Sequence, residues 1–376
     1  MKPKPLKSNQ LWNSLEKLAA VYGGYIPLDL FLAIVTKHYY QNNANIGGIG
    51  DFITAPEVSS FFGQTLAIAI CSFLDQLNQL VNDIDSDLIW IEIGPGNGTL
   101  FCDMWNLISK MPQYSNRVKH IVFVEYSELM TKIQSQLNST INSADLPPIS
   151  WVSSIEKLDK FLNSFDSAKI IIIANEFFDA LPIKQYVFAD EKWNQTMVKL
   201  KQKSVELVIA DLDYEFNSAI KLPEQLSNGS ILELSPARQH AATIVADILD
   251  KYGGVGLLID YGYIKYPLKS TIQSVINHQK LADPFPFLGQ ADISSLVDFG
   301  ALTNFFANRK LDYTLRQQGE FLKLYGIDKL VAKAYNDLIK NSKQKAAEDL
   351  LKNTEILING NKMGEVFYVL QVEKVK

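Results

Sequence analysis

Residues 89–100 read Ile89-Trp-Ile-Glu-Ile-Gly-Pro-Gly-Asn-Gly-Thr-Leu100, an apolar run of strand type that ends in an acid and continues into three glycines. Gly94, Gly96 and Gly98 occupy alternate positions, and a helical stretch begins near Thr99. Because glycine adopts positive φ and has no Cβ, such a turn brings bare backbone close to a ligand. The stretch therefore predicts a strand, a tight binding turn and a helix N-terminus.

The spacing of the glycines separates this turn from that of a dinucleotide-binding fold. That fold uses Gly-x-Gly-x-x-Gly, with the third glycine inside the helix. Here the third glycine comes one residue earlier, and Glu92 stands two residues before the first. The pattern acid-x-Gly-x-Gly-x-Gly resembles the first motif of class I methyltransferases, which bind S-adenosylmethionine. The ammonium and the sulfonium of that cofactor both suit a nearby carboxylate. A plain glycine turn between strand and helix is the alternative.

Composition sets the outer limits. A chain of 376 residues, 47% of them hydrophobic, suits one large α/β domain with additions, or two domains. A net charge of −5 without a basic block argues against nucleic-acid binding. The two cysteines and four histidines show no metal-ligand spacing, so we expect no metal. The basic residues 1–7 precede no apolar core, and no uninterrupted apolar run reaches the roughly 20 residues of a membrane span. We therefore expect a cytoplasmic protein that does not associate with membranes.

Several motifs follow one another in an informative order. They are Gly-Asp-Phe-Ile-Thr-Ala-Pro-Glu at 50–57, the glycine motif at 92–100, and Asn-Glu-Phe-Phe-Asp-Ala-Leu-Pro at 175–182. This set resembles the MidA-like family of methyltransferases, which includes the mitochondrial complex I assembly methyltransferase and its bacterial relatives. Further matches at 233–238, 258–262, 283–299 and 363–364 extend the resemblance over nearly the whole chain. Two departures are Asn97, where the mitochondrial relatives carry arginine, and the loop 41–49, which lacks a Pro-x-x-Gly-Tyr-Tyr run.

The resemblance implies an α/β fold of the class I methyltransferase type, Rossmann-like, with a seven-stranded mixed sheet. We place an N-terminal helical cap at 1–82 and the first part of the S-adenosylmethionine-binding core at 83–184. Alternating apolar and polar residues predict an inserted antiparallel β subdomain at 185–230. The second part of the core, 231–376, is expected to carry a lid at about 278–300, helices over 303–350 and a terminal hairpin turning at Asn359-Gly360.

A second acid ends a second strand. Glu125 follows the apolar run 120–124, near the spacing of acids that hold a ribose diol, and a carboxylate accepts both hydroxyls. The resulting cofactor-binding prediction comprises Thr54, Pro56, Glu92, Gly94, Pro95, Gly96, Gly98, Glu125, Tyr126, Ser127 and Asn175. Local alternatives stay open, because Thr54 with Glu57 fits a capping box and Ser127 fits a helix cap. Ser153 and Ser154 are candidates for the adenine loop, with helix capping as their alternative.

The candidate catalytic residues follow a fourth strand. Ligands of open α/β sheets bind at the carboxyl ends of strands, and Glu176 and Asp179 come directly after the β-branched run 169–174. Three residues apart, they share one side of a helical turn and could grip the donor fork of a guanidinium. The alternative is that Asn175 and Asp179 only cap or close the turn. Asp260 and Tyr261 end a fifth strand and are expected to line the pocket. His278 is expected to be structural.

The predicted function is therefore S-adenosylmethionine-dependent methyl transfer. The resemblance implies that the acceptor is an arginine on a partner protein, as with the complex I subunit. Two alternatives remain at this point. One is an assembly chaperone that binds the cofactor and transfers nothing. The other is a nicotinamide-dependent oxidoreductase, which the early third glycine disfavours.

Overall fold

The computed structural model describes residues 8–42, 54–81, 86–136, 146–165, 167–202, 204–210, 226–276, 279–360 and 362–375. Its strands are β1 Tyr25–Pro27, β2 Leu88–Ile93, β3 Val118–Val124, β4 Ile149–Val152, β5 Lys169–Asn175, β6 Lys184–Ala189, β7 Lys192–Lys201, β8 Ser204–Ile209, β9 Ile231–Leu234, β10 Gly254–Tyr263, β11 Gln273–Ile276, β12 Gln279–Lys280, β13 Asp292–Ser294, β14 Val297–Asp298, β15 Asp312–Gln317 and β16 Phe367–Lys374.

The helices are α1 Ser8–Val21, α2 Leu28–Asn42, α3 Ala55–Val58, α4 Ser60–Val81, α5 Thr99–Ile108, α6 Pro112–Ser115, α7 Glu128–Gln134, α8 Leu158–Leu162, α9 Pro236–Tyr252, α10 Phe299–Asn308, α11 Gln318–Leu324, α12 Ile327–Lys340, α13 Gln344–Ile358 and α14 Met363–Val366. A short 3-10 helix, Ile155–Lys157, precedes α8.

The central sheet runs in the order β15-β16-β10-β5-β2-β3-β4, and β14 adds to the end of β10. Neighbours are parallel except β16, which is antiparallel to both β10 and β15. Every residue of β2 is buried, as expected for a parallel strand covered by helices on both faces. This arrangement confirms the predicted mixed sheet of the class I methyltransferase fold. Seven strands form its continuous path, as predicted, and β14 is an eighth.

Two apolar layers cover the sheet. Trp90 of β2 packs with α4, α5 and the helices α11 to α13 on one face. Its neighbours Ile89 and Ile91 point the other way and pack with α8, α9 and α10. Because alternate residues of a strand face opposite sides of the sheet, β2 contributes side chains to both apolar layers. The carboxyl ends of the parallel strands therefore lie together at one edge of the sheet.

Helix α4 is apolar and long enough to cross a membrane by length and composition alone. In the structure, 61% of its 18-residue apolar window is buried inside the protein. Its residues Phe62, Leu66 and Ile70 belong to the first apolar layer. We therefore interpret α4 as a core helix.

A second, antiparallel sheet lies beside the first. It runs β1-β7-β6-β9, with β8 also paired to β7. Helices α1 and α2 pack against it through a third apolar cluster that includes Leu15, Phe31 and Val198. Phe285, from the predicted lid, joins the same cluster and contacts the Phe31 ring edge-on at 5.6 Å between centroids. Residues 211–225 of the predicted insertion lie outside the described residues.

Three local predictions are wrong. The helices expected over 303–350 are interrupted, because residues 312–317 form β15 and pair with β16. Residues 355–358 end the helix α13 and form no strand, because Leu357 completes that helix's buried face. The antiparallel partner of β16 at the edge of the sheet is therefore β15, and the terminal hairpin is absent from the described residues. Thr54 precedes α3 in extended backbone but its side chain makes no capping bond, because Glu57 turns to other partners.

Candidate active site

A cavity of about 370 Å³ opens at the carboxyl ends of β2, β3 and β5. Most of the predicted site residues line it: Thr54, Pro56, Glu92, Gly94, Pro95, Gly96, Glu125, Tyr126, Asn175, Glu176 and Asp179. Gly98 and Ser127 are not among its lining residues. Most of the residues predicted from the sequence therefore line one cavity. The other two, Gly98 and Ser127, lie in the elements next to it.

The glycine turn has the backbone that its composition predicts. Gly94, Gly96 and Gly98 all have positive φ, at 68°, 56° and 84°. A Cβ on Gly94 would meet the Phe177 side chain at 3.4 Å, so the turn and the catalytic segment pack closely. Gly98 is the left-handed residue that begins α5, which explains its absence from the cavity surface.

The N-terminal region is fastened to this turn. Asn97 Nδ2 donates to Glu57 Oε1 over 2.6 Å, and the Thr99 hydroxyl donates to the same oxygen over 3.0 Å. The Thr99 backbone N–H donates to Asn97 Oδ1 over 3.0 Å. Glu57 therefore bridges α3 to the turn instead of closing its own helix. This use explains why the capping box does not form.

The acid predicted to hold a ribose is itself held in place. Gln134 Nε2 donates to Glu125 Oε2 over 3.2 Å and to the Gly96 carbonyl over 2.8 Å. Trp151 Nε1 donates to Gln134 Oε1 over 2.8 Å. Gln134 is completely buried, so these bonds fix the second strand end to the glycine turn. No sequence pattern near Gln134 signals this role.

Tyr126 and Ser127 connect the second strand end to α2. The Tyr126 hydroxyl donates to the Lys37 carbonyl over 2.5 Å, and the Ser127 hydroxyl donates to the Tyr40 carbonyl over 3.1 Å. Ser127 also accepts from the Met130 N–H, so it caps α7 as the alternative reading of the sequence proposed. Tyr126 adds its ring to the cavity wall.

Two buried polar atoms in the cavity lack partners among the described residues. They are Glu92 Oε2 and Asn175 Oδ1, both acceptors. Burial alone raises the pKa of Glu92 to about 8. A buried acceptor without a donor is costly, and a cationic ligand would satisfy it. The ammonium of S-adenosylmethionine can donate to such acceptors, and the positive charge of its sulfonium suits the same acidic surroundings, so the residues present suit the cofactor.

Glu176 stands at the centre of the catalytic segment in an unusual backbone conformation. Its φ is +51°, in the left-handed region that non-glycine residues rarely adopt. Its Oε1 accepts from the Ala55 N–H and from Asn175 Nδ2, each at 3.4 Å. Burial, and then the nearby Asp179 charge, raise the pKa of Glu176 to about 8. Strained backbone and a raised carboxyl pKa together are typical of functional residues.

Asp179 is braced by Tyr261 and Asp260. The Tyr261 hydroxyl donates to Asp179 Oδ2 over 2.5 Å and also lies 2.6 Å from the Ser294 hydroxyl. Asp260 accepts the backbone N–H of both Asp179 and Tyr261 at 3.0 Å. Burial and the Asp179 charge raise the pKa of Asp260 well above its usual value. Tyr261 therefore lines the cavity as predicted, whereas Asp260 supports the turn from behind.

Arg238 is a buried supporting residue that the sequence reading left without a role. Its guanidinium donates to the carbonyls of Phe178, Leu296 and Ser295 over 2.7–2.8 Å. It thus ties the turn after β5 to the segment before β14. The motif at 233–238 pointed to this stretch, but only the fold shows which groups the arginine joins.

Asp292 was also missed as an individual site residue. It lies in the predicted lid and accepts from the Tyr40 hydroxyl of α2 at 3.2 Å. With it, six carboxylates line the cavity, namely Glu92, Glu125, Glu156, Glu176, Asp179 and Asp292. None of the cavity's described lining residues is lysine, arginine or histidine. The cavity therefore favours a cation over an anion.

The remaining candidates divide between the cavity and the undescribed parts of the chain. Ser153 and Ser154 both line the cavity, and Ser154 makes no capping bond to the 3-10 helix that follows it. His278 and the residues 43–53, which include most of the variant loop, lie outside the described residues. Among the described residues, no cluster of His, Cys, Asp or Glu could hold a metal ion.

Comparison with known proteins identifies the family. Residues 65–315 match a family model, Methyltransf_28, that describes an S-adenosyl-L-methionine-dependent methyltransferase. Over 359 residues the chain is 26% identical to "Protein arginine methyltransferase NDUFAF7, mitochondrial" of Danio rerio, covering 89% of this chain and 79% of the relative. It is 28% identical over 276 residues to the mitochondrial NDUFAF7 homolog of Drosophila melanogaster, and this alignment covers 69% of the chain and 61% of that relative.

Solved structures support the same fold. A crystal structure of a Burkholderia thailandensis protein bound to S-adenosyl-homocysteine has a TM-score of 0.82 to this chain at 21% identity. The likeness covers 100% of this chain and 95% of the other. The matching family model is that of an S-adenosyl-L-methionine-dependent methyltransferase, so the cofactor of this chain is S-adenosylmethionine. The family match spans most of the central sheet and the glycine turn, and the chain belongs to this family of S-adenosylmethionine-dependent methyltransferases.

Proposed function

We propose that the chain methylates an arginine side chain of a partner protein. The observation that carries this proposal is the set of six acidic side chains that line the cavity. The described lining residues include no lysine, arginine or histidine. A guanidinium has a pKa above about 12 and stays positively charged in water, so an acidic cavity attracts it. Several relatives at about 25% identity are named protein arginine methyltransferases, which supports the same acceptor.

When bound, S-adenosylmethionine supplies an electrophilic methyl group on a sulfonium. The chain must then hold the acceptor nitrogen in line and remove its proton. Glu176 is the residue that we assign to both tasks. Its two hydrogen bonds among the described residues use Oε1, which leaves Oε2 to face the guanidinium. Because the pKa of Glu176 is near 8, its carboxylate accepts and holds the guanidinium proton more readily than the carboxylate of an exposed glutamate would.

Asp179 has a supporting place in this proposal. It adds a second negative charge next to Glu176, and this charge helps to raise the pKa of Glu176. Its Oδ2 also holds the Tyr261 hydroxyl. We therefore expect Asp179 to orient the acceptor through charge and through Tyr261.

Isotope transfer tests the proposal. The purified protein is incubated with methyl-tritiated S-adenosylmethionine and an extract of its native cells, and labelled proteins are hydrolysed for amino-acid analysis. We expect the label in methylarginine, and we expect Glu176→Gln to lower transfer by at least about 100-fold. Glu348→Gln is the matched control, because Glu348 is an exposed acid on α13 that lines neither this cavity nor its neighbour.

The outcomes separate the remaining functions. Label in another amino acid would contradict the arginine acceptor. Tight S-adenosyl-homocysteine binding without any transfer would favour an assembly chaperone. A complex I subunit as acceptor rests on the family resemblance. The cytoplasmic location stays a prediction from the sequence, and the named relatives are mitochondrial proteins.

A further inference from the structure

A second cavity adjoins the first and shares a wall with it. Its volume is about 540 Å³, within the roughly 300–1,000 Å³ of ligand sites. Glu176 and Tyr261 line both cavities. A ligand in the second cavity would therefore meet the same carboxylate that faces the cofactor. The function proposed above requires an approach of this kind for the acceptor.

The lining of the second cavity differs from that of the first. Glu176 is its only described acid, and two lysines, Lys269 and Lys280, line it. Both lysines are exposed, so their charges face the solvent side. Met363 and Val366 supply apolar surface, and Val366 is 47% exposed. The cavity thus combines one carboxyl group, an apolar wall and exposed positive groups.

We propose that this second cavity binds the acceptor peptide, and that it selects an arginine flanked by acidic residues. The inference rests on the proposed arginine methylation. The guanidinium pairs with Glu176, and the aliphatic stem lies along Met363 and Val366. Lys269 and Lys280 receive carboxylates of neighbouring peptide residues. A partner protein with an acidic loop around one arginine is the kind of substrate that this surface fits.

The exposed lysines decide the flanking charge. An isolated arginine, or one flanked by basic residues, meets two positive side chains before it reaches Glu176, and that repulsion opposes entry. Acidic flanks reverse the sign of this interaction. Surface charges of this kind change affinity modestly and in a salt-dependent way. The selection is therefore strongest at low ionic strength.

Peptide binding measures the site without requiring turnover. The probe is a fluorescein-labelled peptide with one central arginine and aspartates two positions away on either side, titrated with protein saturated with S-adenosyl-homocysteine. We expect binding to weaken about tenfold or more when lysines replace the aspartates, and likewise when citrulline replaces the arginine. The double variant Lys269→Glu/Lys280→Glu should weaken binding of the aspartate peptide about tenfold at low salt. The matched control Lys333→Glu changes the charge of an exposed lysine on α12 and should leave peptide binding unchanged.

Photocrosslinking locates the peptide. With a benzophenone residue next to the arginine, we expect an adduct at Met363 or Val366 in the mass spectrum of the digested protein. Adducts only elsewhere, no binding of the aspartate peptide, or equal binding to the Lys269→Glu/Lys280→Glu variant would each overturn the inference. Binding of S-adenosyl-homocysteine by every variant confirms that it is folded.

The two proposals fail in different ways. If the aspartate peptide binds at this cavity but methyl transfer labels no arginine, the second cavity stands and the arginine methylation falls. If arginine is methylated equally well with acidic and basic flanks, the methylation stands and the selection of acidic flanks falls.

Discussion

Glu92 offers the sharpest test of the physical reasoning, because it is a buried acid whose shift has a single cause. It is 2% exposed, and burial raises its pKa from 4.5 to about 8. A shift of that size corresponds to roughly 5 kcal/mol between the two protonation states. A raised pKa in the folded state means that the folded protein retains a proton that the unfolded chain gives up. The associated stability is complete below pH 4.5 and is lost as the pH rises toward 8.

The substitution Glu92→Gln removes this dependence. Between pH 5 and pH 8 the wild-type protein, without ligand, should lose about 3 kcal/mol of unfolding free energy through Glu92, and the variant should not lose it. Urea unfolding at both pH values measures the difference. Glu176 shifts in the same direction in both proteins, so its effect cancels in the comparison. Glu156→Gln is the control, since its exposed carboxyl has a lowered pKa and should leave the slope nearly unchanged.

Ligand binding supplies the second half of this test. A cation that pairs with Glu92 favours the ionised carboxylate, so binding of S-adenosyl-homocysteine should release protons near pH 7. Calorimetry in two buffers with different ionisation enthalpies counts these protons. A Glu92→Gln variant that kept the wild-type pH slope of stability and released as many protons on binding would contradict a raised pKa at Glu92.

Three further substitutions test the supporting residues. Gln134→Leu should weaken S-adenosyl-homocysteine binding about tenfold, because Glu125 loses a donor, and unchanged calorimetric affinity would contradict this. Arg238→Leu leaves several buried carbonyls without donors and should cost about 3–5 kcal/mol in urea unfolding, whereas a loss under about 1 kcal/mol would show that the arginine is not needed. Gly254→Ala would place a Cβ 2.0 Å from a carbonyl oxygen of β5 and should cost more than about 4 kcal/mol. Its control, Gly229→Ala, meets no atom within 4 Å despite a positive φ and should cost about 1–2 kcal/mol, so equal losses would contradict the steric argument.

The parts of the site that follow from local chain chemistry could be predicted. A buried strand, three alternate glycines and acids at strand ends each leave a pattern in adjacent residues. Parallel strands end at the same edge, so Glu92, Glu125 and Glu176 were expected to meet, and they line one cavity. The structure adds that the strands before these three acids, β5, β2 and β3, are neighbours in the sheet.

The supporting residues could not be predicted because their partners are distant in sequence. Gln134 joins Gly96 across 38 positions, and Arg238 joins Phe178 across 60. The capping box does not form for the same reason, since Glu57 accepts from Asn97, which lies 40 positions away in the sequence. Residues 355–358 carry β-branched side chains that suit a strand, but packing of Leu357 kept them helical.

The carboxylate of Glu176 borders two compartments, and this has a thermodynamic consequence. A cation bound in one cavity favours the ionised form of Glu176, and the resulting negative charge also faces the other cavity. By reciprocity, occupancy of the first compartment must change affinity in the second by the same factor that the second imposes on the first. One side chain would then report to each ligand whether the other is present, without any movement of the backbone.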